Sequence, residues 1–499
     1  MDYSQIFNMV PECTLMLLLV ITFIVDFVST GKAERKWFNP LVCVLMLAHL
    51  LFNIQPVASV SAFGGMYHTE ASVGVIKTIL ALGALIVLIQ SREWMQRKDT
   101  AFKEGEFYML IISTLLGMNM MVSSANFLLF YLGLEMASVP MACLVGIDKY
   151  RHNSAEAAAK FILTATFSSG VMLFGISLLY GATGSLYFDE VLIKLTSIFS
   201  GVAITNHLSV SLVVMGMVFF FSGLGFKISL VPFHFWTADT YQGAPTTVTG
   251  YLSVVSKGAA AFTLMLILLK VFLPMLIYWH YMLDIIIILS ITVANLFAIH
   301  QSDIKRFMAF SSISQAGYIM LAVIGTSSNG VAALSYYILI YVVANMAVFS
   351  IISAVEEHNN GKTAIDDYDG FYTTNPKLAF LMTLALFSLG GIPPFAGMFC
   401  KFFSFVAAME MGTEPTVGTM TYITVFVALV NTVVSLYYYL IIVKAMFIKK
   451  TETPLPTFKS NTSTKLALAL CTAGIVLFGV YSPIYGWIYD AAQNFVSML

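Results

Sequence analysis

Charged side chains are scarce in this chain: only 10% of its 499 residues are Asp, Glu, Lys or Arg, whereas 59% are hydrophobic. A mean hydropathy of +0.86 leaves too little polar surface for a water-soluble protein of this length. The formal net charge of -1 provides no excess of positive charge with which to bind nucleic acid. These deficits predict a polytopic protein embedded in a lipid bilayer.

Cysteine is also scarce, and its five copies show neither a disulfide pattern nor metal-ligand spacing. They are dispersed through apolar stretches as Cys13, Cys43, Cys143, Cys400 and Cys471. The sequence also lacks histidine pairs suited to haem and a glycine-rich turn between a strand and a helix suited to a dinucleotide. We therefore expect this chain to hold no cofactor and no metal.

Long apolar runs recur from end to end, and about fourteen of them are long enough to cross roughly 30 Å of hydrocarbon as helices. We place these spans near residues 10–30, 40–56, 73–91, 106–122, 124–147, 157–181, 209–240, 246–271, 279–300, 305–326, 330–355, 377–412, 417–447 and 464–487. Transmembrane strands would be shorter and would alternate in polarity. The predicted fold class is an all-α polytopic membrane protein.

Basic residues are concentrated in every second predicted loop, and the alternate loops hold only Lys194 and Lys270. The basic loops follow spans 1, 3, 5, 9, 11 and 13 and contain Lys32, Arg35, Lys36, Arg92, Arg97, Lys98, Lys103, Lys149, Arg151, Lys305, Arg306, Lys362, Lys377, Lys449, Lys450, Lys459 and Lys465. Loops rich in Lys and Arg remain cytoplasmic. This alternation predicts that both termini lie on the outer, periplasmic side.

Spans 7 and 12 contain glycine and proline near their centres. Span 7 has Gly225 shortly before Pro232, and span 12 has Gly391 shortly before Pro393. Proline breaks a helix, and backbone groups freed at membrane depth are tolerated only where they are buried or line a cavity. An ordinary kink explains two such interruptions less well than it explains one.

The two breaks lie five spans apart, and two five-span units necessarily enter the membrane from opposite faces. Broken helices at matching places in two halves are typical of inverted repeats around a transport site. The predicted organisation is therefore N-terminal spans 1–3 (1–105), a first repeat of spans 4–8 (106–271), an inverted second repeat of spans 9–13 (272–447), and a C-terminal loop with span 14 (448–499).

Four ionisable residues fall inside apolar spans: Glu135 in span 5, Lys227 in span 7, Lys257 in span 8 and Lys401 in span 12. A lysine at the centre of a membrane helix costs roughly 2.5 to 3.5 kcal/mol on insertion scales, so such residues usually face a hydrated interior and a partner. Together the four predict a proton or ion path. The alternative, a structural Glu135–Lys227 ion pair, would not explain the other two lysines.

Two further residues are candidates for the same path. His234 adjoins the break in span 7 and is a possible relay between Lys227 and Lys257, although a lone histidine is more often a satisfied core residue. Lys160 begins span 6 and is either an input site or a surface lysine whose stem lies along the bilayer.

The segment from Gly223 to Pro245, GLGFKISLVPFHFWTADTYQGAP, resembles the signature of the seventh helix in the antiporter-like membrane subunits of respiratory complex I, the NADH-quinone oxidoreductase. The similarity extends to residues 130–135, 156–160, 302–318 and 390–401. The resemblance implies a proton-pumping translocase subunit of a bacterial inner membrane. On that model Glu135 modulates Lys227, Lys257 joins two half-channels, and Lys401 exchanges a proton with the outer side.

The resemblance also implies partners. Quinone and the flavin and iron–sulfur centres are expected in other subunits, and antiporter-like neighbours of the membrane arm are expected to contact this chain. Two other functions stay open: a subunit of a multisubunit cation/proton antiporter would share the lysines and the broken helices, and a non-conducting structural subunit would hold the lysines in permanent ion pairs.

Overall fold

The computed structural model describes residues 3–29, 35–55, 59–97, 99–149, 151–200, 207–359, 361–452, 454–481 and 483–496. Two basic residues used above for the topology, Lys32 and Lys98, lie outside these ranges. Within them the chain forms helices and one antiparallel hairpin of strands β1 (Val60–Ala62) and β2 (Tyr67–Thr69).

The helices follow the order of the predicted spans. They are α1 (Val10–Ser29), α2 (Phe38–Phe52), α3 (Ala71–Met95), α4 (Glu104–Val122), α5 (Phe127–Val145), α6 (His152–Thr183), α7 (Phe188–Phe199), α8 (His207–Ile228), α9 (Phe235–Gly243), α10 (Thr246–Tyr251), α11 (Lys257–Lys270), α12 (Leu276–Ile299), α13 (Ile304–Ile324), α14 (Ser328–His358), α15 (Phe371–Thr374), α16 (Pro376–Gly390), α17 (Ala396–Glu410), α18 (Gly418–Phe447), α19 (Thr462–Val480) and α20 (Pro483–Val496).

In the described ranges, 12 helical segments are long and apolar enough to cross a membrane, and α2 and α16 are shorter apolar helices. Each predicted span overlaps one of these segments. The prediction of an all-α, multi-pass membrane protein is therefore confirmed.

Four of the segments form the centre of the bundle. The most apolar windows of α10–α11 and α13 are 100% buried, and those of α14 and α3 are 94% and 89% buried. By contrast, only 28% of the corresponding window of α1 is buried, so most of the apolar surface of α1 is exposed on the outside of the bundle. Charged residues on the central helices therefore face protein and not hydrocarbon.

Both predicted breaks are present. α8 ends at Ile228 and the chain resumes as α9 at Phe235, while α16 ends at Gly390 and resumes as α17 at Ala396. Gly391 follows α16 with φ +85°, a left-handed conformation that glycine adopts without a steric penalty. A third irregularity was not predicted: a π-helical turn, Leu252–Ser256, lies directly before Lys257. Such turns are frequent at functional sites.

Matched details occur in the two predicted repeats. Asn126 caps α5 by accepting a hydrogen bond from the backbone of Leu128, and Asp303 caps α13 in the same way. Asn126 also forms an isolated antiparallel bridge with Tyr187, in the segment that follows α6. Asp303 forms the corresponding bridge with Ala364, in the segment that follows α14. These parallels support the inverted repeat, whose boundaries stay a prediction.

Sequence patterns missed or misplaced three elements. The hairpin and α7 lie between spans, and α7 is too short at 12 residues to cross a bilayer. The predicted span 14 is wrong at its end, because α19 stops at Val480 and a separate helix, α20, begins at Pro483. Proline has no backbone N–H to continue a helix, but it is well suited to the first position of a new one.

Candidate functional site

Lys227 lies at the end of α8, immediately before the break, and is 4% exposed. Its ammonium donates a 2.7 Å hydrogen bond to Ser138 Oγ on α5. The predicted direct pair with Glu135 is not formed, since among the described residues no carboxylate oxygen lies within 4.0 Å of Lys227 Nζ. Ser138 and Glu135 are three residues apart on one helical face, so Glu135 is a neighbour of the serine that binds Lys227.

Glu135 itself is only half-buried, yet its Oε1 atom is enclosed and has no hydrogen-bond partner in the described part of the chain. A buried carboxylate oxygen without a partner is costly. Glu135 is thus close to the Lys227 site and available for a new contact.

Lys257 begins α11 at the end of the π-helical turn and is 1% exposed. Its Nζ donates a 2.6 Å hydrogen bond to Ser312 Oγ on α13 and lies 5.3 Å from the centre of the Tyr241 ring. No acidic side chain pairs with it within the described ranges. Its buried charge is therefore balanced only by a hydroxyl and an aromatic face.

Lys401 lies in the second turn of α17 and is 4% exposed. Its Nζ donates to the Gly390 carbonyl at 3.2 Å and lies 4.7 Å from the centre of the Tyr318 ring. The carbonyl is available because α16 ends there. The described chain places no carboxylate within 4.0 Å of this lysine either.

A cavity of about 10 Å³ lies beside Lys401, between α13, α14, α16 and α17. Its lining includes Tyr341, whose hydroxyl has no partner among the described residues, together with Gln315 and Lys401. A space of this size holds about one water molecule if enough polar groups surround it. Gln315 also donates to the Leu389 carbonyl at 3.0 Å and accepts a hydrogen bond from Tyr337. Lys401 thus lies next to a group of polar side chains.

His234 lies between α8 and α9, where its ring stacks on Phe235 with the centroids 4.6 Å apart. Its Nδ1 atom is buried without a partner in the described structure. It forms no direct hydrogen bond with Lys227 or Lys257, both of which bind serines instead. Its role as a relay stays a prediction and requires a bridging water.

Lys160 lies at the surface, with 45% of its side chain exposed, and forms 2.8 Å ion pairs with Glu156 and with Asp239. Asp239 also binds Arg306 at 2.7 Å and so links α6, α9 and α13. Asp239 was part of the conspicuous motif in span 7 but was not identified as a site residue. The sequence could not show that the partners of Asp239 lie on two other helices.

A larger polar cavity of about 640 Å³ opens beside α10 and α14 on the side of the basic loops. Glu356 accepts hydrogen bonds there from Thr246 and, at 3.4 Å, from Arg151. Lys305, only 3% exposed, donates to the Ala244 carbonyl at 2.7 Å. In the sequence, Lys305 belongs to a predicted basic loop, and no pattern marks Glu356 as a site residue.

Buried polar side chains continue from this cavity toward Lys257. Asn345 on α14 donates a 2.7 Å hydrogen bond to Ser253 in the π-helical turn. In the described part of the chain, the Oδ1 atom of Asn345 and the hydroxyls of Thr247, Ser256 and Ser350 are buried without partners. Internal water molecules usually provide the hydrogen bonds that such buried polar groups lack.

Two buried pairs of ionisable side chains lie outside this column, although the sequence placed their members near span ends. Lys77 and Glu12 approach to 2.7 Å and are 3% and 1% exposed. His280 and Asp284 approach to 3.1 Å and are both 0% exposed. Apolar runs alone do not show how far a terminal turn is buried beneath neighbouring segments.

A family model described as "NADH:quinone oxidoreductase/Mrp antiporter, TM" matches residues 124–428, which is more than half of the chain. The chain belongs to this family. The predicted resemblance to antiporter-like membrane subunits is therefore confirmed, and the matched range contains all three buried lysines of the site.

Similar family members include NADH-quinone oxidoreductase subunit N of Phocaeicola vulgatus, 53% identical over 492 residues that cover 99% of this chain and 100% of the relative. Subunit N of Azobacteroides pseudotrichonymphae is 46% identical, with 98% of each chain covered. Among solved structures, a chain of respiratory complex I from Thermus thermophilus is 30% identical with a TM-score of 0.75, covering 96% of this chain and 98% of that one.

A chain of the Mrp complex from Dietzia shares the fold with a TM-score of 0.79 over 97% of both chains, but at 17% identity. The fold is thus common to chains of two differently named complexes. Structural likeness at that identity supports the architecture alone.

Proposed function

We propose that this chain is a proton-translocating membrane-arm subunit of an NADH-quinone oxidoreductase in a bacterial inner membrane. One observation carries the proposal: Lys227, Lys257 and Lys401 are all buried, and all bind neutral oxygen atoms instead of carboxylates. A carboxylate holds a lysine in its charged form, whereas a hydroxyl or carbonyl leaves it able to exchange a proton.

Two other lysines of this chain, Lys77 and Lys270, have the carboxylate partners expected of structural lysines. Lys77 is as deeply buried as the site lysines, but Glu12 lies 2.7 Å from its ammonium. Lys270 is paired with Glu70 at 3.1 Å. Because the three site lysines lack such partners in the described residues, a purely structural subunit explains them poorly.

In the proposed mechanism a proton enters from the cytoplasmic side through the cavity beside Glu356 and reaches Lys257 along the column of Asn345 and Ser253. It then passes by way of water near Gln315 to Lys401. Each transfer moves one proton from one group to the next and needs no redox partner in this chain. Broken helices near each lysine supply the freed backbone groups and local space that such transfer requires.

Lys227 and Glu135 control the direction of transfer in this proposal. When Lys227 leaves Ser138 and pairs with Glu135, a positive charge moves away from Lys257, and the cost of charging Lys257 falls. Charges about 10 Å apart at an effective dielectric constant of about 20 repel by about 1.7 kcal/mol, and moving one of them away removes part of this repulsion. His234, between the half-helices, is a possible relay for the same step.

Energy for pumping comes from outside this chain in the proposal. Quinone, flavin and iron–sulfur centres belong to other subunits, and neighbouring antiporter-like subunits of the membrane arm contact this chain. The half-buried Glu135 is a suitable point for that contact. Both termini face the periplasm, as the basic loops predict.

The test measures acidification and quinone reduction by the whole complex in inverted membrane vesicles. Lys257→Gln should assemble normally but lose at least about tenfold in both rates, because the buried proton-exchanging group is gone. Lys449→Gln is the matched control: Lys449 is 42% exposed and pairs with Asp366 outside the spans. Normal pumping by assembled Lys257→Gln would overturn the proposal, and sodium-driven transport without quinone reduction would favour the antiporter alternative.

A further inference from the structure

The buried pair His280–Asp284 has no place in the mechanism above. His280 Nδ1 lies 3.1 Å from Asp284 Oδ2, and both side chains are 0% exposed. The other polar atom of each residue, His280 Nε2 and Asp284 Oδ1, is also buried and lacks a hydrogen-bond partner in the described structure. Buried polar atoms are almost always paired. Two adjacent exceptions mark a place for a water molecule or a transferable proton.

The pair lies near the outer surface according to the predicted topology. α12 begins at Leu276, and His280 follows four residues later, about 6 Å along the helix. Ser314 on α13 donates to Asn295 on α12 at 2.8 Å. From that contact, α13 continues outward to Ile324 while α12 returns toward His280, so the pair lies beside the outer end of α13.

A second helix runs alongside α12 in the same direction. Asn295 donates to Asn431 Oδ1 at 3.0 Å, and about four turns further out Tyr281 donates to the Thr416 carbonyl at 2.6 Å. The sequence separations of 136 and 135 are nearly equal, so α12 and α18 are parallel and in constant register.

This register places Asp284 over α18. Asp284 precedes Asn295 by eleven residues, which is about three turns and returns to nearly the same helical face. At the same depth as Asp284, α18 contains Thr421, and Thr424 follows about one turn further toward the middle of the helix. Both threonines are 0% exposed. Polar side chains therefore form an interrupted line along the α12–α18 contact: they occur near its outer end and, beyond the apolar residues 425–430, at Asn295 and Asn431.

The inner end of this polar line lies next to Lys401. The Tyr318 ring is 4.7 Å from Lys401 Nζ, and the Tyr318 hydroxyl accepts a 3.2 Å hydrogen bond from Thr432. Thr432 follows Asn431, the α18 residue that binds Asn295. Lys401 and the His280–Asp284 pair thus lie near opposite ends of this interrupted line of polar groups.

We propose that His280–Asp284 is the outward-side proton site of this chain, receiving the proton that leaves Lys401 and releasing it to the periplasmic side. The inference rests on the proposed function. One proton enters the pair from the polar line and one leaves from it, so that no other reactant is needed. The two unpaired atoms provide one point of entry and one of exit.

A packing role would have a different signature. A His–Asp pair one turn apart stabilises a helix by a few tenths of a kcal/mol, and an asparagine in place of the aspartate would preserve its size and its hydrogen-bond acceptor. It would not preserve a carboxylate that exchanges protons. Asp284→Asn therefore separates the two roles.

The experiment compares Asp284→Asn, Asp284→Glu and the control Tyr281→Phe in the whole complex, at matched assembly in inverted vesicles. We expect Asp284→Asn to lower quinone-coupled acidification about tenfold, Asp284→Glu to recover at least half of the wild-type rate, and Tyr281→Phe to pump normally. Tyr281 lies on the same turn of α12 and bonds to Thr416, but it has no part in the proposed relay.

If Asp284→Asn fails to assemble, His280→Gln replaces it with the same expected tenfold loss. Normal acidification by the assembled Asp284→Asn or His280→Gln complex would overturn the inference. Lys401→Ala, measured beside them, identifies the source of a failure. If Lys401→Ala is impaired while both α12 variants are normal, only the outward site is wrong. If all three pump normally, the proposed function fails as well.

Discussion

Lys257 and Ser312 are joined by a 2.6 Å hydrogen bond that links the π-helical turn before α11 to the centre of α13. Ser312 Oγ also lies 3.4 Å from the Tyr241 hydroxyl on α9. One serine therefore connects the central lysine with the half-helix that follows the first break. This contact leads to the first prediction.

Ser312→Ala should lower coupled proton pumping several-fold without preventing assembly. The substitution removes the only hydrogen-bond acceptor of Lys257 in the described structure and leaves a buried ammonium against an aromatic face. An unsatisfied charged donor costs about 1–3 kcal/mol or more, which disfavours the charged state of Lys257. Acidification in inverted vesicles measures the effect. Ser335→Ala is the control, since that buried hydroxyl bonds only to its own helix. Equal rates for the two variants would contradict the prediction.

Glu135→Gln should leave the complex assembled while strongly lowering both proton transfer and quinone reduction. Glutamine keeps the size of the side chain but cannot attract the Lys227 ammonium as a charge. Glu106→Gln, an exposed acid at the start of α4, is the matched control and should be silent. Loss of assembly with normal specific activity in the residual complex would instead support a structural role for Glu135.

Lys401→Glu should retain substantially more coupled pumping than Lys401→Ala, because a proton-exchanging group is preserved even though its charge is reversed. No carboxylate lies within 4.0 Å of Lys401 Nζ in the described residues, so the new acid would not face another acid at that distance. A protonated glutamic acid is also able to donate to the Gly390 carbonyl that Lys401 now binds. Acidification and quinone reduction are compared at matched assembly. An alanine variant equal to or better than the glutamate variant would exclude a proton-exchange role for Lys401.

Gly391→Ala should destabilise the second half-helix break by about 1–2 kcal/mol, since the residue has φ +85° and alanine disfavours that conformation. An added Cβ would also lie 3.1 Å from Lys401 Cδ. The thermal stability of the purified complex measures the change. Gly181→Ala in α6 meets no neighbouring atom within 4 Å and should leave stability unchanged or slightly raised. Equal melting temperatures for the two variants would contradict the argument.

The topology predicts opposite labelling of two exposed loop positions. Single cysteines at Glu414, between α17 and α18, and at Lys459, between α18 and α19, are introduced into a chain lacking the five native cysteines. A membrane-impermeant thiol reagent added from the periplasmic side should modify the first and not the second. Labelling of both from one side would remove the predicted orientation and, with it, the argument that places His280–Asp284 near the outer surface.

Local sequence sufficed for the membrane fold and for the identity of the central lysines. A hydrocarbon layer accepts only long apolar helices and penalises each charge, so the spans, the two breaks and Lys227, Lys257 and Lys401 were recognisable from composition along the chain. Glycine and proline have backbone preferences of their own, which is why Gly391 and Pro393 predicted the second break.

Contacts between distant segments were decided only by the tertiary structure. Which oxygen binds a buried ammonium depends on how helices are rotated and shifted against each other, and therefore Ser138 rather than Glu135 accepts the hydrogen bond from Lys227. The burial of His280 and Asp284 likewise depends on segments more than a hundred residues away, since α18 packs against α12. The hydrophobic pattern of the sequence indicates that a residue lies in a membrane helix. Only the packing of the helices determines which side chain it contacts.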